Sequence, residues 1–187
     1  QKWYAGETIS VAIGQGALTV TPLQLAYAIG GIAMGGVWYT PHVLADPARQ
    51  ETPRRAEFNP ESIAKVVYGM YGVVNEGGTG ARAQIPGIEL CGKTGSAQLA
   101  STAAVKALNA EDTLKDNAWF VGFAPREFPE IVVGVLIEGG LHGSLAAPVA
   151  RDVVKTYFDK KSNRQPQRIL ASSAPAAGGL QGSRQQP

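Results

Sequence analysis

The 187-residue chain holds one cysteine, two histidines and little net charge, and each shortage removes a class of function. Cys91 alone forms no internal disulfide and no cysteine-rich metal site, and it suits either redox compartment. His42 and His142 lie far apart, with no Asp, Glu or Cys companion at ligand spacing, so no metal and no cofactor is expected. A net charge of +2 is too small to argue for nucleic acid. Long apolar runs are missing too. Residues 8–41 carry no charge, but the most apolar part, Leu23 to Tyr39, is broken by Gln24 and by glycines 30, 31, 35 and 36. A lipid-facing helix wants about 20 strongly apolar residues, so a buried helix packed closely against its neighbours is expected instead. Gln1-Lys2-Trp3-Tyr4 opens the chain with neither an initiator methionine nor a signal peptide. Both facts suggest a chain cut from something longer.

What is present reads as helices, then strands, then a helix. Residues 1–20 read as irregular, with glycines 6, 14 and 16. Thr21-Pro22-Leu23-Gln24 is a helix start: the Thr21 hydroxyl caps, Pro22 suits the first helical position, and Gln24 reaches back to the cap. The helix runs from about 22 to 34 and stops at Gly35-Gly36. Pro41, Pro47 and Pro53 keep 37–58 extended or looped. Asn59-Pro60 starts a second helix, with Ile63, Val66, Val67, Met70, Val73 and Val74 at helical spacing. Residues 88–99 read as a strand, Ala118–Phe123 as a second and Ile131–Glu138 as a third. The short Pro125–Pro129 turn makes the last two an antiparallel hairpin. Trp119, Phe120 and Phe123 are expected in the core, and His142 in a structural turn. Pro148 opens a last helix to about Lys160. From Ser162 to Pro187, Ser, Gln, Pro and Gly predict a disordered tail. Strands grouped together rather than alternating with helices favour an α+β fold with an antiparallel sheet.

The chemistry concentrates in Cys91-Gly92-Lys93-Thr94-Gly95-Ser96-Ala97-Gln98. Gly87 to Thr94 also fits G-x-x-x-x-G-K-[ST], the phosphate-binding loop. That loop needs a strand before it and a helix starting at its Lys, whereas Ile85-Pro86 precedes it and Gly95 stands where the helix would begin. A second decoy is Ser62-Ile63-Ala64-Lys65, a Ser and a Lys that share one helix face as a nucleophile and its base would. Ser62 falls in a first helical turn, where serine is common, and no Ser-x-Asn follows it. A lone lysine on a strand is otherwise a solvated residue.

Lys-Thr-Gly is one of three active-site motifs of the penicillin-recognising acyl transferases. Six further segments extend the likeness. They are Trp3-Tyr4-Ala5-Gly6-Glu7-Thr8, Ile13-Gly14-Gln15-Gly16, Thr21-Pro22-Leu23-Gln24, Pro41-His42, Ala118 to Pro125 and Ala146 to Arg151. Over about residues 1–160 the chain closely resembles the elongation-type, class B penicillin-binding protein 2 family, peptidoglycan D,D-transpeptidases. Ser96 stands where that family usually has Thr. The resemblance implies a penicillin-binding-protein/serine β-lactamase-like fold, present in part: sheet strands three to five with flanking helices. Residues 1–87 would be mostly the helical subdomain, and 88–161 the strands plus a closing helix. The Ser-x-x-Lys nucleophile helix and the Ser-x-Asn loop would lie upstream.

The resemblance also implies site roles. The Ser96 N–H would be one of two oxyanion donors, the other belonging to the missing serine. Lys93 would supply positive charge and proton transfer, Thr94 and Ser96 hydroxyls would take the donor peptide's carboxylate, and Gly95 would let the strand approach substrate. Ile13 to Gly16 would be scaffold. The implied partners are the peptidoglycan stem peptide, β-lactams and an elongation-machinery glycosyltransferase. The implied location is the periplasmic side of the bacterial inner membrane, with the membrane reached only through an upstream anchor. A non-catalytic β-lactam-sensing or interaction module on the same fold is the alternative.

Overall fold

A computed structural model describes residues 3–16, 18–45, 51–100, 106–108 and 115–172, with the backbone alone from 164 onward. The chain divides into two compact units, Gln1–Lys155 and Thr156–Pro187.

Three helices come first. α1 spans Ala5–Ala12, where only irregular chain is expected from the sequence. Its cap explains the difference: the Tyr4 N–H donates to the Glu7 carboxylate at 2.9 Å, and the Glu7 N–H returns to the Tyr4 carbonyl at 3.0 Å. Tyr is not a standard cap, so the residue pattern hides this start. α2 spans Pro22–Ala33 and begins as expected. The Gln24 N–H donates to the Thr21 hydroxyl at 3.2 Å, and the Thr21 N–H to the Gln24 side chain at 2.8 Å. α3 spans Pro60–Asn75, with the Asn59 side chain accepting from the Glu61 and Ser62 N–H groups. Between α2 and α3 lies a two-residue antiparallel ladder, β1 (Val37–Trp38) with β2 (Arg54–Arg55).

β3 (Cys91–Ala97), β4 (Asn117–Ala124) and β5 (Ile131–Ile137) form an antiparallel sheet in the order β3-β4-β5. The register pairs Gly95 with Trp119 and Val121 with Gly134. The central strand is buried along most of its length: Ala118, Phe120, Val121, Phe123 and Ala124 are all in the core. Trp119, also expected there, is half-buried. Cys91 and Phe123 on one sheet face join Met70 of α3, with Ile29, Ala33, Val67, Tyr71 and Val132 packed around them. On the other face the Phe120 ring lies over Gly92, where a Cβ would come within 2.3 Å of it.

The glycines of α2 answer the question raised by its uncharged sequence. A Cβ at Gly31 would sit 1.7 Å from the Trp38 indole, so the helix closes onto that ring. The helix is nonetheless only half-buried, with Leu23 62% exposed. Among the described residues no helix is long and apolar enough to cross a membrane.

A 3₁₀ turn, Gly143–Leu145, leads into α4 (Ala147–Ser172). Ala147, Ala150 and Val154 form its buried stripe. The helix passes the expected stop near Lys160, and the backbone over 162–172 is helical rather than disordered. Composition misleads there: Arg164, Gln165, Gln167, Arg168, Leu170 and Ala171 are good helix formers, outnumbering the one breaker among them, Pro166. Residues 173–187, the rest of the expected tail, lie outside the described residues.

Candidate functional site

Among the described residues, β3 has a strand on one side only. In an antiparallel ladder the N–H and C=O of one residue point the same way, and the direction alternates along the strand. Two contacts fix which residues face out. The Lys93 ammonium donates to the Thr94 carbonyl at 2.7 Å, and the Gln15 side-chain amide donates to the Ser96 carbonyl at 3.0 Å. Thr94 and Ser96 therefore present their backbone to the unpaired edge, and the Ser96 N–H points there with its own carbonyl. Gly95 faces inward as the partner of Trp119.

The remaining members are held around that edge. The Thr94 hydroxyl lies 2.7 Å from the Thr79 hydroxyl. The Ser96 hydroxyl accepts from the Gly143 N–H at 3.3 Å. A Cβ on Gly143 would stand 2.5 Å from the Gly95 carbonyl oxygen and 2.8 Å from that of Trp119, so only glycine lets the post-β5 turn lie on this ladder pair. At Gly95 itself a Cβ would meet only the Trp119 Cβ, at 3.4 Å, which leaves the space above it open. The structure thus puts the backbone of Thr94 and Ser96 on an accessible strand edge, with Lys93 and Gly95 beside them in the same strand.

Three residues enter that the sequence did not single out for chemistry. Gln15, read as scaffold, bridges the Ser96 carbonyl and, at 3.4 Å, the Gln98 N–H. Thr79 and Gly143 come from turns far along the chain. The only hints were the glycines on either side of Gln15 and of Thr79.

The two decoys separate cleanly. Lys93 sits in the middle of a strand, after a turn at Gly87 and an isolated Ile85–Ile88 bridge, so no helix N-terminus receives a phosphate. Lys65 pairs with the Glu61 carboxylate at 2.8 Å, and exposed Ser62 spends its N–H on the Asn59 cap. His142 is exposed and opens the 3₁₀ turn, its carbonyl accepting from the Leu145 N–H at 2.9 Å. No cluster of His, Cys, Asp and Glu suited to a metal occurs among the described residues. Cys91 lies under the sheet, and burial pushes its thiol up to about 11, with nearby Glu89 adding to the rise and Arg126 opposing it.

Residues 1–155 match the penicillin binding protein transpeptidase domain. The peptidoglycan D,D-transpeptidase MrdA of Acinetobacter baumannii is 43% identical over 164 residues, which is 81% of this chain and 24% of that protein. The crystal structure of Pseudomonas aeruginosa penicillin-binding protein 2 is 34% identical with a TM-score of 0.66, covering 84% of this chain and 33% of that one. Penicillin-binding protein A of M. tuberculosis, as its imipenem acyl-enzyme complex, is 28% identical with a TM-score of 0.64, covering 80% and 33%. The chain spans about a quarter of the length of the curated relatives it matches. It belongs to the penicillin-binding protein transpeptidase family.

Proposed function

We propose that this chain is the substrate-cradle portion of a peptidoglycan D,D-transpeptidase that works through a serine acyl-enzyme, the serine lying in a part of the protein outside this sequence. The observation that carries the reading is the outward Ser96 N–H on the unpaired edge of β3, flanked by Lys93 and Thr94. An extended peptide adds to such an edge through main-chain hydrogen bonds, as strand addition does elsewhere.

In this scheme the donor stem peptide lies along β3 with its terminal carboxylate near the Thr94 and Ser96 hydroxyls and the Lys93 ammonium. The serine oxygen attacks the carbonyl between two D-alanines, and a D-alanine leaves. An amine from a neighbouring strand then attacks the ester and restores the serine. The Ser96 N–H donates to the carbonyl oxygen as it gains negative charge, and one such donor is worth on the order of 3 kcal/mol of barrier. Lys93 holds the carboxylate and moves a proton to or from a neighbouring hydroxyl supplied by the rest of the active site. β-Lactams acylate the same serine. The imipenem acyl-enzyme of the M. tuberculosis relative supports that step by analogy. In this reading the whole protein works on the periplasmic side of the inner membrane, held by an upstream anchor, in cell-shape-determining wall synthesis beside an elongation glycosyltransferase; its membership of the transpeptidase family supports that reading.

The test is acylation of the full-length protein by a fluorescent penicillin. Lys93→Ala is expected to slow acylation by about 100-fold or more, the scale of losing a positioned transition-state charge, while leaving the melting temperature within a few degrees. A wild-type acylation rate in that variant would remove Lys93 from the mechanism.

A further inference from the structure

Thr79 has no role in the scheme above, yet its hydroxyl lies 2.7 Å from that of Thr94, fifteen positions later in the chain. We infer that Thr79 is a positioning residue for the carboxylate subsite: it donates its proton to Thr94, which frees the Thr94 proton for the incoming carboxylate.

The argument begins with what a hydroxyl can do. Each carries one proton and two lone pairs, so two adjacent hydroxyls share a bond in which either is the donor. Both directions are open in the free protein. A carboxylate accepts only, so once it arrives Thr94 must point its proton at the anion. Its oxygen then needs a donor from behind, and Thr79 is in place to be one. Bonds in such a chain polarise one another, so the outer bond gains from the inner one.

The placement of Thr79 is built. It sits in Gly77-Gly78-Thr79-Gly80, directly after α3. Gly77 adopts φ +75°, and a Cβ on Gly78 would stand 2.5 Å from the Val73 Cα. The Gly80 N–H donates to the Val73 carbonyl at 3.0 Å, and a Cβ on Gly80 would press on Val73 and the Phe120 ring. The turn is therefore clamped between the end of α3 and the core residue that pairs with Thr94 in the sheet. Thr79 has little freedom to leave its partner.

The inference rests on the transpeptidase reading, and the two can fail separately. In the full-length protein, acylation by a fluorescent penicillin is resolved into a pre-covalent dissociation constant and a rate of covalent capture. Thr79→Val, which keeps shape and removes the proton, is expected to raise the dissociation constant about fivefold, the factor for a hydrogen bond of ordinary net strength. Capture should stay within about twofold, and Thr79→Ser should restore wild-type binding. If Thr79→Val folds poorly, Thr79→Ala serves in its place, with the same loss of binding expected. Unchanged binding in the variant, a loss confined to the capture rate, or failure of serine to rescue would overturn the role of Thr79. A wild-type protein that takes no label would overturn the transpeptidase reading and this inference with it.

Discussion

Cys91 shows how a single side chain records its surroundings. It is fully buried between the sheet and α3, and its thiol ionises at about 11 rather than 9.0. Because the folded state holds this proton more tightly, the stabilising contribution is complete below pH 9.0 and is lost as pH rises from there through about 11. Chemical unfolding followed across that window should show a falling midpoint, and the fall should be shallower in Cys91→Ala. At neutral pH the native thiol should resist alkylation until the protein is unfolded, since the thiolate is the reactive form. Rapid labelling of the native protein would show that α3 does not cover Cys91.

At the scale of elements, the question is what closes the outer edge of β3. An exposed strand edge is a template for pairing, and proteins cover or interrupt it. Here the carboxamide of Gln15 takes the Ser96 carbonyl and the Gln98 N–H, much as one residue of a neighbouring strand would. It covers the edge from the Ser96 carbonyl onward and leaves the Ser96 N–H on the part before it. Gln15→Ala removes both bonds and ties the α1–α2 connection less firmly to the sheet. We expect a loss of about 1 kcal/mol in stability, with faster hydrogen exchange at the Gln98 amide and none at Phe120. Unchanged exchange at Gln98 would mean that water or another group serves it equally well. The element boundaries themselves were legible wherever the signal was local. Thr21-Pro22 and Asn59-Pro60 begin α2 and α3 because the cap and the helix it serves are a few residues apart. α1 escaped because its carboxylate cap follows a tyrosine, and α4 ran on because composition hid eleven helical residues behind a polar label.

For the molecule as a whole, the proposed site has one wall in this chain, formed by the sheet and its helices. Several large apolar side chains of that wall face solvent, among them Ile9 at 70% and Ile13 at 72% exposed. The chain prepared by itself should take no covalent label from a fluorescent penicillin, because Ser62 lies exposed in the first turn of α3 and Lys65, the base it would need, is paired with the Glu61 carboxylate. Labelling that disappears in Ser62→Ala would reverse this and make Ser62 a nucleophile.

The residues alone determined the helix starts, the strand nature of Lys93-Thr94-Gly95-Ser96, the antiparallel α+β class and, through their motifs, the family. These follow from chemistry within a few positions: caps, proline, alternation and a short motif. Tertiary structure decided which edge of β3 stays open, that Gln15 holds Ser96 at its carbonyl and Gly143 at its hydroxyl, and that Thr79 backs Thr94. Such contacts join residues 15 to 81 positions apart, and no local preference records them. They arise because burying the Phe120 and Phe123 rings fixes the sheet against α2 and α3, and that packing brings distant turns to one strand.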